Sequence, residues 1–292
     1  MNYRHAYHAG NFADVMKHAI LTLAVEHLKK KEKPFFLLDT HAGTGMTDLS
    51  GVEAQKTGEY HQGIARLLAA ENPHPALAEY LTAIRELGGQ ESKDEESNEA
   101  LTRYPGSPAL MAHLARRDDR LAFCELHPED AKSLRANFRR DARVKTHEMD
   151  GYTALKAMLP PKERRGLVLV DPPFEDRAEF DALFHSLMEA HRRFATGTFL
   201  VWYPLKDPSV SGAFLERLAA GGPPKTLALE LHVMVSDPAR MTGSGMVVVN
   251  PPFSLIEQGA DGRSGARSLL DWLAITLSQG PGARAREEWL SN

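Results

Sequence analysis

The stretch Gly166-Leu167-Val168-Leu169-Val170-Asp171-Pro172-Pro173-Phe174 decides the fold of this chain. Its apolar run contains β-branched residues and predicts a buried parallel strand. Prolines cannot donate to a sheet ladder, so the strand must end at Asp171 in a stiff turn. In an open α/β sheet, ligands bind at the carboxyl ends of the strands. The stretch therefore predicts a carboxylate, proline carbonyls and an aromatic ring at the ligand-binding edge.

These groups suit chemistry on the exocyclic amino group of adenine or cytosine, whose lone pair is delocalised into the ring. Hydrogen bonds from the amino hydrogens to Asp171 and to a proline carbonyl would draw the nitrogen towards a tetrahedral, nucleophilic geometry. The Phe174 ring would stack on a base taken out of its helix. A strand followed by a purely structural proline turn explains a bare Asp-Pro-Pro equally well, so the rest of the chain must decide.

The composition is that of a soluble globular protein, with 292 residues, 42% hydrophobic and 25% charged. A single cysteine, Cys124, excludes an internal disulfide framework and favours a reducing cytoplasm. No apolar stretch approaches membrane-spanning length, and the histidines show no metal-binding spacing such as H-E-x-x-H. We expect a cytoplasmic monomer with neither a metal nor a membrane partner. The net charge of −4 argues against nonspecific coating of nucleic acid, but not against a local basic groove.

The N-terminal part of the chain predicts a capped helix and then a nucleotide-type loop. Asn11 is expected to cap a helix over 13–30. A strand ending at Asp39 leads to Thr40-His41-Ala42-Gly43-Thr44-Gly45, a glycine turn expected to open another helix. The third glycine of the dinucleotide fingerprint is missing, which counts against NAD.

Residues 51–105 are too many for one connection between a strand and a helix. Helical periodicity over 58–70 and 75–87, with a polar acidic loop over 88–99, predicts a small inserted helical subdomain. Residues 1–50 and 106–292 would then form the α/β domain, with a further helix running to Arg117.

Acidic residues end three strands that precede the Asp171 strand in the chain. They are Asp39 with its glycine loop, Glu125 after strand 121–125, and Asp150 after strand 144–149. In nucleotide-binding α/β folds, an acid at the end of the second strand binds the ribose hydroxyls. Helices over 128–140, 152–159, 177–194 and 208–220, and strands over 198–203, 227–235 and 245–249, complete the expected pattern.

This ordered set resembles the class I S-adenosylmethionine-dependent methyltransferases, whose Rossmann-like sheet has seven strands with the last one antiparallel. More closely, the chain resembles the bacterial 23S ribosomal RNA adenine-N6-methyltransferases of the RlmJ family. The matching motifs extend from residue 3 to about residue 253. They are Y-R-H-A-Y-H-A-G-N at 3–11, D-V-M-K-H at 14–18, L-D-T-H-A-G at 38–43, Y-P-G-S-P at 104–108, E-L-H-P at 125–128, D-G at 150–151 and R-R-F-A-T-G at 192–197.

The resemblance implies methylation of the N6 amino group of one adenine in 23S ribosomal RNA, with S-adenosyl-L-methionine as the methyl donor. It implies that Asp171 is the catalytic group and that Tyr3 contacts the RNA. Phe174, expected to stack on the base, stands where the family often has tyrosine. The implied cofactor contacts are His18, His41, Ser107, Glu125, Asp150, Gly151 and Asp171.

A second motif, Asn250-Pro251-Pro252-Phe253, also follows an apolar strand and would serve the same chemistry in isolation. By strand count, Asn250 ends the seventh, antiparallel strand and points to the opposite edge, so we expect Asp171 to be the catalytic group. Two other functions stay open. One is methylation of a DNA adenine or a protein glutamine by the same pocket. The other is noncatalytic nucleotide binding, for which an acid at every strand end would be surplus.

Overall fold

A computed structural model of the protein describes residues 7–89, 101–176 and 178–292. Tyr3, the predicted RNA contact, and residues 90–99 of the predicted polar loop lie outside the described residues.

The strands assemble into one large sheet and one small one. In chain order they are β1 (Phe36–Asp39), β2 (Met46–Asp48), β3 (Arg103–Pro105), β4 (Arg120–Glu125), β5 (Val144–Glu148), β6 (Gly166–Val170), β7 (Thr198–Leu205), β8 (Thr226–His232), β9 (Gly243–Val249) and β10 (Arg284–Ser291). Eight of them form the central sheet in the order β10-β8-β9-β7-β6-β1-β4-β5, while β2 pairs with β3. Strands β5, β4, β1, β6 and β7 run parallel, and β9 runs antiparallel to both β7 and β8.

The helices cover both faces of the central sheet. They are α1 (Phe12–Lys29), α2 (Val52–Thr57), α3 (Ile64–Leu68), α4 (Ala78–Gly88), α5 (Ser107–Leu114), α6 (Pro128–Phe138), α7 (Gly151–Met158), α8 (Glu179–Arg193), α9 (Pro208–Gly221), α10 (Phe253–Ile256) and α11 (Gly265–Thr276). Alternate residues of a strand face opposite sides, so Leu167 and Leu169 join one hydrophobic cluster while Val168 and Val170 join the other. Burial on both faces explains why β6 is a continuous apolar run.

The expected α/β class is confirmed, and so is the antiparallel seventh strand, which is β9 when the strands of the central sheet are counted along the chain. The central sheet has one strand more than the seven expected. The additional strand, β10, pairs antiparallel with β8 at the sheet edge. Four of the first five residues of its sequence, R-A-R-E-E-W-L-S, are charged, which protects an exposed edge but hides the strand from a search for apolar runs. The predicted cap of α1 is also confirmed, because the Asn11 side chain accepts hydrogen bonds from the N–H groups of Ala13 and Asp14, both at 2.9 Å.

Four local expectations differ from the structure. The glycine turn ending at Gly45 leads into strand β2, not a helix. The helix expected over 58–70 is interrupted at Gly63, where a Cβ would lie 2.0 Å from the carbonyl oxygen of Gly10, leaving a 3-10 turn (Glu59–Gln62) and α3. The helix expected over 75–87 begins as a 3-10 turn (Pro75–Leu77), which α4 follows. The helix expected to reach Arg117 ends at Leu114. The division of the chain at 51–105 stays a prediction.

Candidate active site

Four acidic side chains lie at the same edge of the sheet because the strands that precede them are parallel. Strand β1 lies between β4 and β6, and β5 flanks β4, so their carboxyl ends are neighbours. Asp39 and Glu125 are the last residues of β1 and β4, while Asp150 and Asp171 follow β5 and β6 within two residues. The four carboxylates predicted at strand ends therefore lie together at this edge.

Two cavities open at this edge, and Asp171 and Pro173 line both of them. The larger, of about 490 Å³, lies between α1, the loop after β6 and the end of β7. Its lining includes Asp14, Lys17, Phe174 and Trp202. The smaller, of about 140 Å³, lies over the ends of β1, β4 and β5. The carboxylate of Asp171 thus stands at the boundary between two binding spaces.

The smaller cavity brings together five of the seven predicted cofactor contacts. These are His41, Glu125, Asp150, Gly151 and Asp171. Further carboxylates line the same cavity, from Asp130, Glu175 and Glu179. The cavity is therefore strongly acidic.

Backbone groups shape the floor of the smaller cavity. Glu125 accepts a hydrogen bond from the Gly43 N–H at 2.8 Å and another from the His127 N–H at 2.7 Å, which fixes the glycine loop against the end of β4. A Cβ at Gly151 would lie 2.5 Å from the carbonyl oxygen of Thr40 and 2.6 Å from the His41 ring. Only glycine fits there, so the start of α7 lies directly against the loop after β1.

Two predicted cofactor contacts, Ser107 and His18, line neither cavity within the described part of the chain. The Ser107 hydroxyl donates to Asp39 at 2.6 Å, behind the glycine loop. Burial raises the pKa of Asp39 to about 6, against the lowering effect of that hydrogen bond. The His18 ring is fully buried, with its Nδ1 2.7 Å from the Tyr104 hydroxyl. Both residues support the walls of the site, and direct contact with a cofactor stays a prediction for them.

Lys17, the basic residue of the D-V-M-K-H motif at 14–18, lies in the site. Its Nζ lies 2.5 Å from Oδ2 of Asp171 and 2.8 Å from Oδ1 of Asp14, with only 3% of its side chain exposed. Burial acts to lower the pKa of Lys17, but the carboxylates of Asp14 and Asp171 outweigh it and raise that pKa above its ordinary value. The three-residue spacing of Asp14 and Lys17 on a helix was a readable signal for their contact. The contact of Lys17 with Asp171, 154 residues away, had no such signal in the sequence.

Phe174 lines the larger cavity in an uncommon backbone conformation. Its φ is +50°, in the left-handed region that few non-glycine residues adopt. The ring packs against Phe180 with centroids 4.6 Å apart and meets the edge of Trp202 at 5.6 Å. Surrounding aromatic rings thus hold the Phe174 ring beside Asp171.

His8 and Asn11 are anchored at the mouth of the larger cavity. His8 Nδ1 lies 3.0 Å from Oε1 of Glu59, and the Asn11 amide donates to Oε2 of the same residue at 2.9 Å. Burial acts to raise the pKa of Glu59, but the hydrogen bond and charge of His8 outweigh it and lower that pKa. Glu59 itself lines the cavity. The predicted insertion and residues 8–11 therefore meet at this site.

The second motif, Asn250-Pro251-Pro252-Phe253, lies at the edge of the sheet opposite the two cavities. Asn250 follows the antiparallel strand β9, and its side-chain amide donates to the carbonyl oxygens of Ala195 at 2.9 Å and Gly197 at 2.8 Å. These bonds fix the loop that leads into β7. The contacts of Asn250 are therefore structural. Asn250 and the two cavities lie at opposite ends of the strands.

In residues 7–89, 101–176 and 178–292, no group of three or more His, Cys, Asp or Glu side chains is placed to hold a metal ion. No helix among them combines the length and apolar character needed to cross a membrane.

Comparisons with known proteins point to one family. A model of the family described as "Ribosomal RNA large subunit methyltransferase D, RlmJ" matches residues 32–291. The chain is 39% identical to the ribosomal RNA large subunit methyltransferase J of Escherichia coli (strain K12), covering 99% of each chain. It is 43% identical to the protein of the same name from Haemophilus influenzae, covering 100% of this chain and 99% of the relative.

The crystal structure of a Legionella pneumophila protein matches with a TM-score of 0.83 and 32% identity, covering 97% of this chain and 98% of that one. The relatives cover nearly the whole chain, and the family model covers it from β1 to β10. The chain belongs to the RlmJ family of ribosomal RNA large subunit methyltransferases.

Proposed function

We propose that this protein transfers a methyl group from S-adenosyl-L-methionine to the N6 amino group of one adenine in 23S ribosomal RNA. The observation that carries the proposal is the position of Asp171 and Pro173 on the wall shared by the two cavities. A donor in the smaller cavity and a base in the larger one would meet at the Asp-Pro-Pro-Phe turn. The names of the relatives make large-subunit ribosomal RNA the expected substrate.

The residues of the smaller cavity fit the methyl donor. S-adenosylmethionine, when bound, supplies an electrophilic methyl group on a positively charged sulfur, and this cavity is lined by carboxylates that complement a cation. Glu125 and Asp150 offer acceptors for ribose hydroxyls, and the glycine-lined floor allows close approach to the backbone. The cavity volume of about 140 Å³ is below the ~300 Å³ usual for ligand sites. The donor would therefore extend beyond it along the strand ends.

The larger cavity, at about 490 Å³, has room for a base taken out of its RNA helix. Phe174 would stack on the face of the base. Asp171 and a proline carbonyl would accept the amino hydrogens, drawing the nitrogen towards nucleophilic geometry. Positive charge would develop on the nitrogen as the new N–C bond forms and the S–CH3 bond of the donor breaks, leaving a neutral thioether. The methylated amine would then release a proton to water or to Asp171. Lys17 would act as a positioning residue that holds the Asp171 carboxylate.

A DNA adenine or a protein glutamine presents the same planar amino group to this pocket. Membership of the RlmJ family favours RNA over both. A monomeric state and a location in the cytoplasm, where ribosomal RNA is found, remain predictions.

The decisive experiment offers radiolabelled donor to the protein with transcribed 23S ribosomal RNA, duplex DNA and cell protein in parallel. We expect label in the RNA alone, recovered as N6-methyladenosine after digestion. Label in DNA or protein would replace the proposed substrate. Donor binding without transfer to any of the three would leave the noncatalytic alternative. Calorimetry should show that Glu125→Ala weakens donor binding by roughly ten- to a hundredfold, because charge-assisted hydrogen bonds are lost.

A further inference from the structure

The loops that lead into four parallel strands concentrate positive charge at the edge opposite the active site. They comprise residues 30–33, 116–120, 139–143 and 162–165, which precede or begin β1, β4, β5 and β6. Together these loops, here called the basic edge, contain twelve Lys and Arg and five Asp and Glu in a chain whose net charge is −4. The four strands are consecutive in the sheet, so the loops are neighbours in space.

Four half-buried arginines bind the basic edge together. Arg116 donates to the carbonyl oxygens of Lys31 at 2.9 Å and Lys33 at 3.1 Å, and Arg165 donates to Lys33 at 2.6 Å. Arg143 donates to the carbonyl oxygen of Ala112 at 2.8 Å. Three of the five carboxylates are also engaged in this layer, in the pairs Arg116–Asp119, Arg143–Asp141 and Arg120–Glu163. The loops are therefore cross-linked into one surface.

Eight cations project from that layer into solvent. They are Lys30, Lys31, Lys33, Arg117, Arg139, Arg140, Lys162 and Arg164, all exposed and none within an ion-pair distance of a carboxylate among the described residues. Only Glu32 and Asp118 remain to offset them. Burial lowers the pKa of nearby His27, and Lys30, Arg165 and Lys31 lower it further, which is consistent with a positive potential here.

We propose that the basic edge binds the phosphodiester backbone of the ribosomal RNA substrate, as a second contact separate from the active site. This inference rests on the proposed function for its partner. Phosphate contacts from Lys and Arg supply sequence-independent affinity and fix the orientation of a protein on its nucleic acid.

The chemistry of the surface favours RNA over a protein or a membrane. Protein interfaces are anchored by aromatic residues and depleted in lysine at their centre, and membrane-surface binding by a helix needs an apolar face. The large apolar side chains that the described structure exposes are Val52, Leu126, Val235, Phe253, Ile275 and Trp289, and none belongs to the basic edge. A surface of charge without apolar anchors matches a phosphate backbone.

The position of the basic edge determines which part of the RNA it can reach. The five residues of β6 separate it from Asp171, a length of roughly 17 Å at 3.3 Å per residue. A phosphate bound there therefore lies at least about 17 Å from the target nucleotide. A substrate must extend around the sheet to contact both sites, as a large folded RNA can.

The test compares Arg117→Gln/Arg140→Gln with the matched pair Arg85→Gln/Arg284→Gln. All four arginines are exposed, none has a carboxylate partner among the described residues, and both pairs change the net charge equally. Binding of transcribed 23S ribosomal RNA is measured over a range of salt concentrations, and methyl transfer is measured as KM and kcat. For the basic-edge pair we expect roughly tenfold weaker binding and a higher KM, with kcat and donor affinity unchanged. The slope of log affinity against log salt should fall by about one to two.

Equal losses in both pairs would show a general charge effect and overturn the proposal, and so would unchanged binding and salt slope in the basic-edge pair. Failure of the proposed function is a separate result. It would appear as absence of methyl transfer to RNA by the unaltered protein, whatever the effect of these substitutions on RNA affinity.

Discussion

Lys17 and Asp171 form a buried ion pair, with Nζ 2.5 Å from Oδ2, between the first helix and the loop proposed to be catalytic. Asp14 lies 2.8 Å from the same ammonium, so two carboxylates share one cation. Burial of such groups is costly unless they are paired, and each partner therefore depends on the others for its position. The pair fixes the orientation of Asp171 at the boundary of the two cavities before any ligand binds.

Replacing Lys17 with methionine should reduce both stability and turnover. Removing one partner of a buried ion pair leaves an uncompensated buried charge, which typically costs about 3–5 kcal/mol. We expect a loss of this size in the free energy of unfolding, measured by urea denaturation. Methyl transfer should fall as well, because the carboxylate of Asp171 loses its positioning partner.

Lys29→Met on the same helix is the matched control. Lys29 also pairs with a carboxylate three residues earlier, with Nζ 2.6 Å from Glu26, but 30% of its side chain is exposed. Surface pairs contribute about 0–1 kcal/mol, so this variant should be nearly as stable as the unaltered protein. Similar losses in the two variants would show that the burial of the Lys17 pair has no special effect.

Gly151→Ala should impair donor binding because no space exists for its methyl group. The new Cβ would lie 2.5 Å from the Thr40 carbonyl oxygen, pushing the start of α7 away from the loop after β1. We expect weaker donor binding by calorimetry and a lower melting temperature. Gly212→Ala is the control, since Gly212 lies within helix α9 with no atom within 4 Å of its would-be Cβ. That variant should gain up to about 1 kcal/mol from helix propensity. Unchanged donor affinity in Gly151→Ala would remove this cradle from the site.

The stability of the protein should depend on pH through Asp39. Its pKa is raised by burial from 3.8 to about 6, so the folded protein binds this proton more tightly than the unfolded chain does. The free energy of unfolding should therefore fall as the pH rises from about 4 to about 6, by up to about 3 kcal/mol from this group. Asp39→Asn cannot titrate and should lack this component.

The difference in unfolding free energy between Asp39→Asn and the unaltered protein, measured without donor at several pH values, isolates the effect. It should increase in favour of the variant across this window. Ser107→Ala removes the hydrogen bond that lowers the pKa of Asp39, so it should move the window upward. A difference that does not vary with pH would mean that Asp39 keeps an ordinary pKa in the folded state.

The parts of the fold that the sequence predicted are those with local signals. Strand β6 is apolar on both faces and ends at prolines, and α1 begins at a capping asparagine, so both follow from neighbouring residues. Strand β10 was not predicted, because its core contribution is small and four of its first five residues are charged. The interruption of the helix at Gly63 was not predicted either. It arises from the close approach of Gly63 to the Gly10 backbone, which is distant in sequence.

The same distinction holds for the site. The acids at strand ends could be predicted because parallel strands bring their carboxyl ends to one edge. The contacts of Lys17 with Asp171 and of His8 with Glu59 join segments 154 and 51 residues apart, and no periodic pattern encodes such a pairing. Family resemblance named His18 and Ser107, but the structure places them behind the cavity walls, where sequence alone could not put them.

Asp171 and Asn250 precede the two Pro-Pro-Phe triplets, and their substitution should affect turnover very differently. Asn250→Ala removes hydrogen bonds to Ala195 and Gly197 at the edge away from the cavities, so it should lower stability while keeping the turnover of folded protein. Asp171→Ala should abolish turnover. If Asp171→Ala keeps near-normal turnover while Asn250→Ala abolishes it, the proposed assignment of the catalytic group is wrong.

Asp171→Asn separates two roles for the carboxylate. If Asp171 stabilises the positive charge that develops on the amino nitrogen, asparagine keeps an acceptor oxygen and should retain part of the rate. Alanine should then lie near background, because one such transition-state interaction carries roughly 10²–10³-fold in rate. Obligatory proton abstraction would instead leave both variants equally inactive. We expect the electrostatic role, because the amine becomes acidic only after methyl transfer and can then lose its proton to water. Rates must be compared at saturating donor, since Asp171 also lines the smaller cavity. They must also be compared per folded molecule, since both variants leave Asp14 as the one carboxylate paired with Lys17 among the described residues.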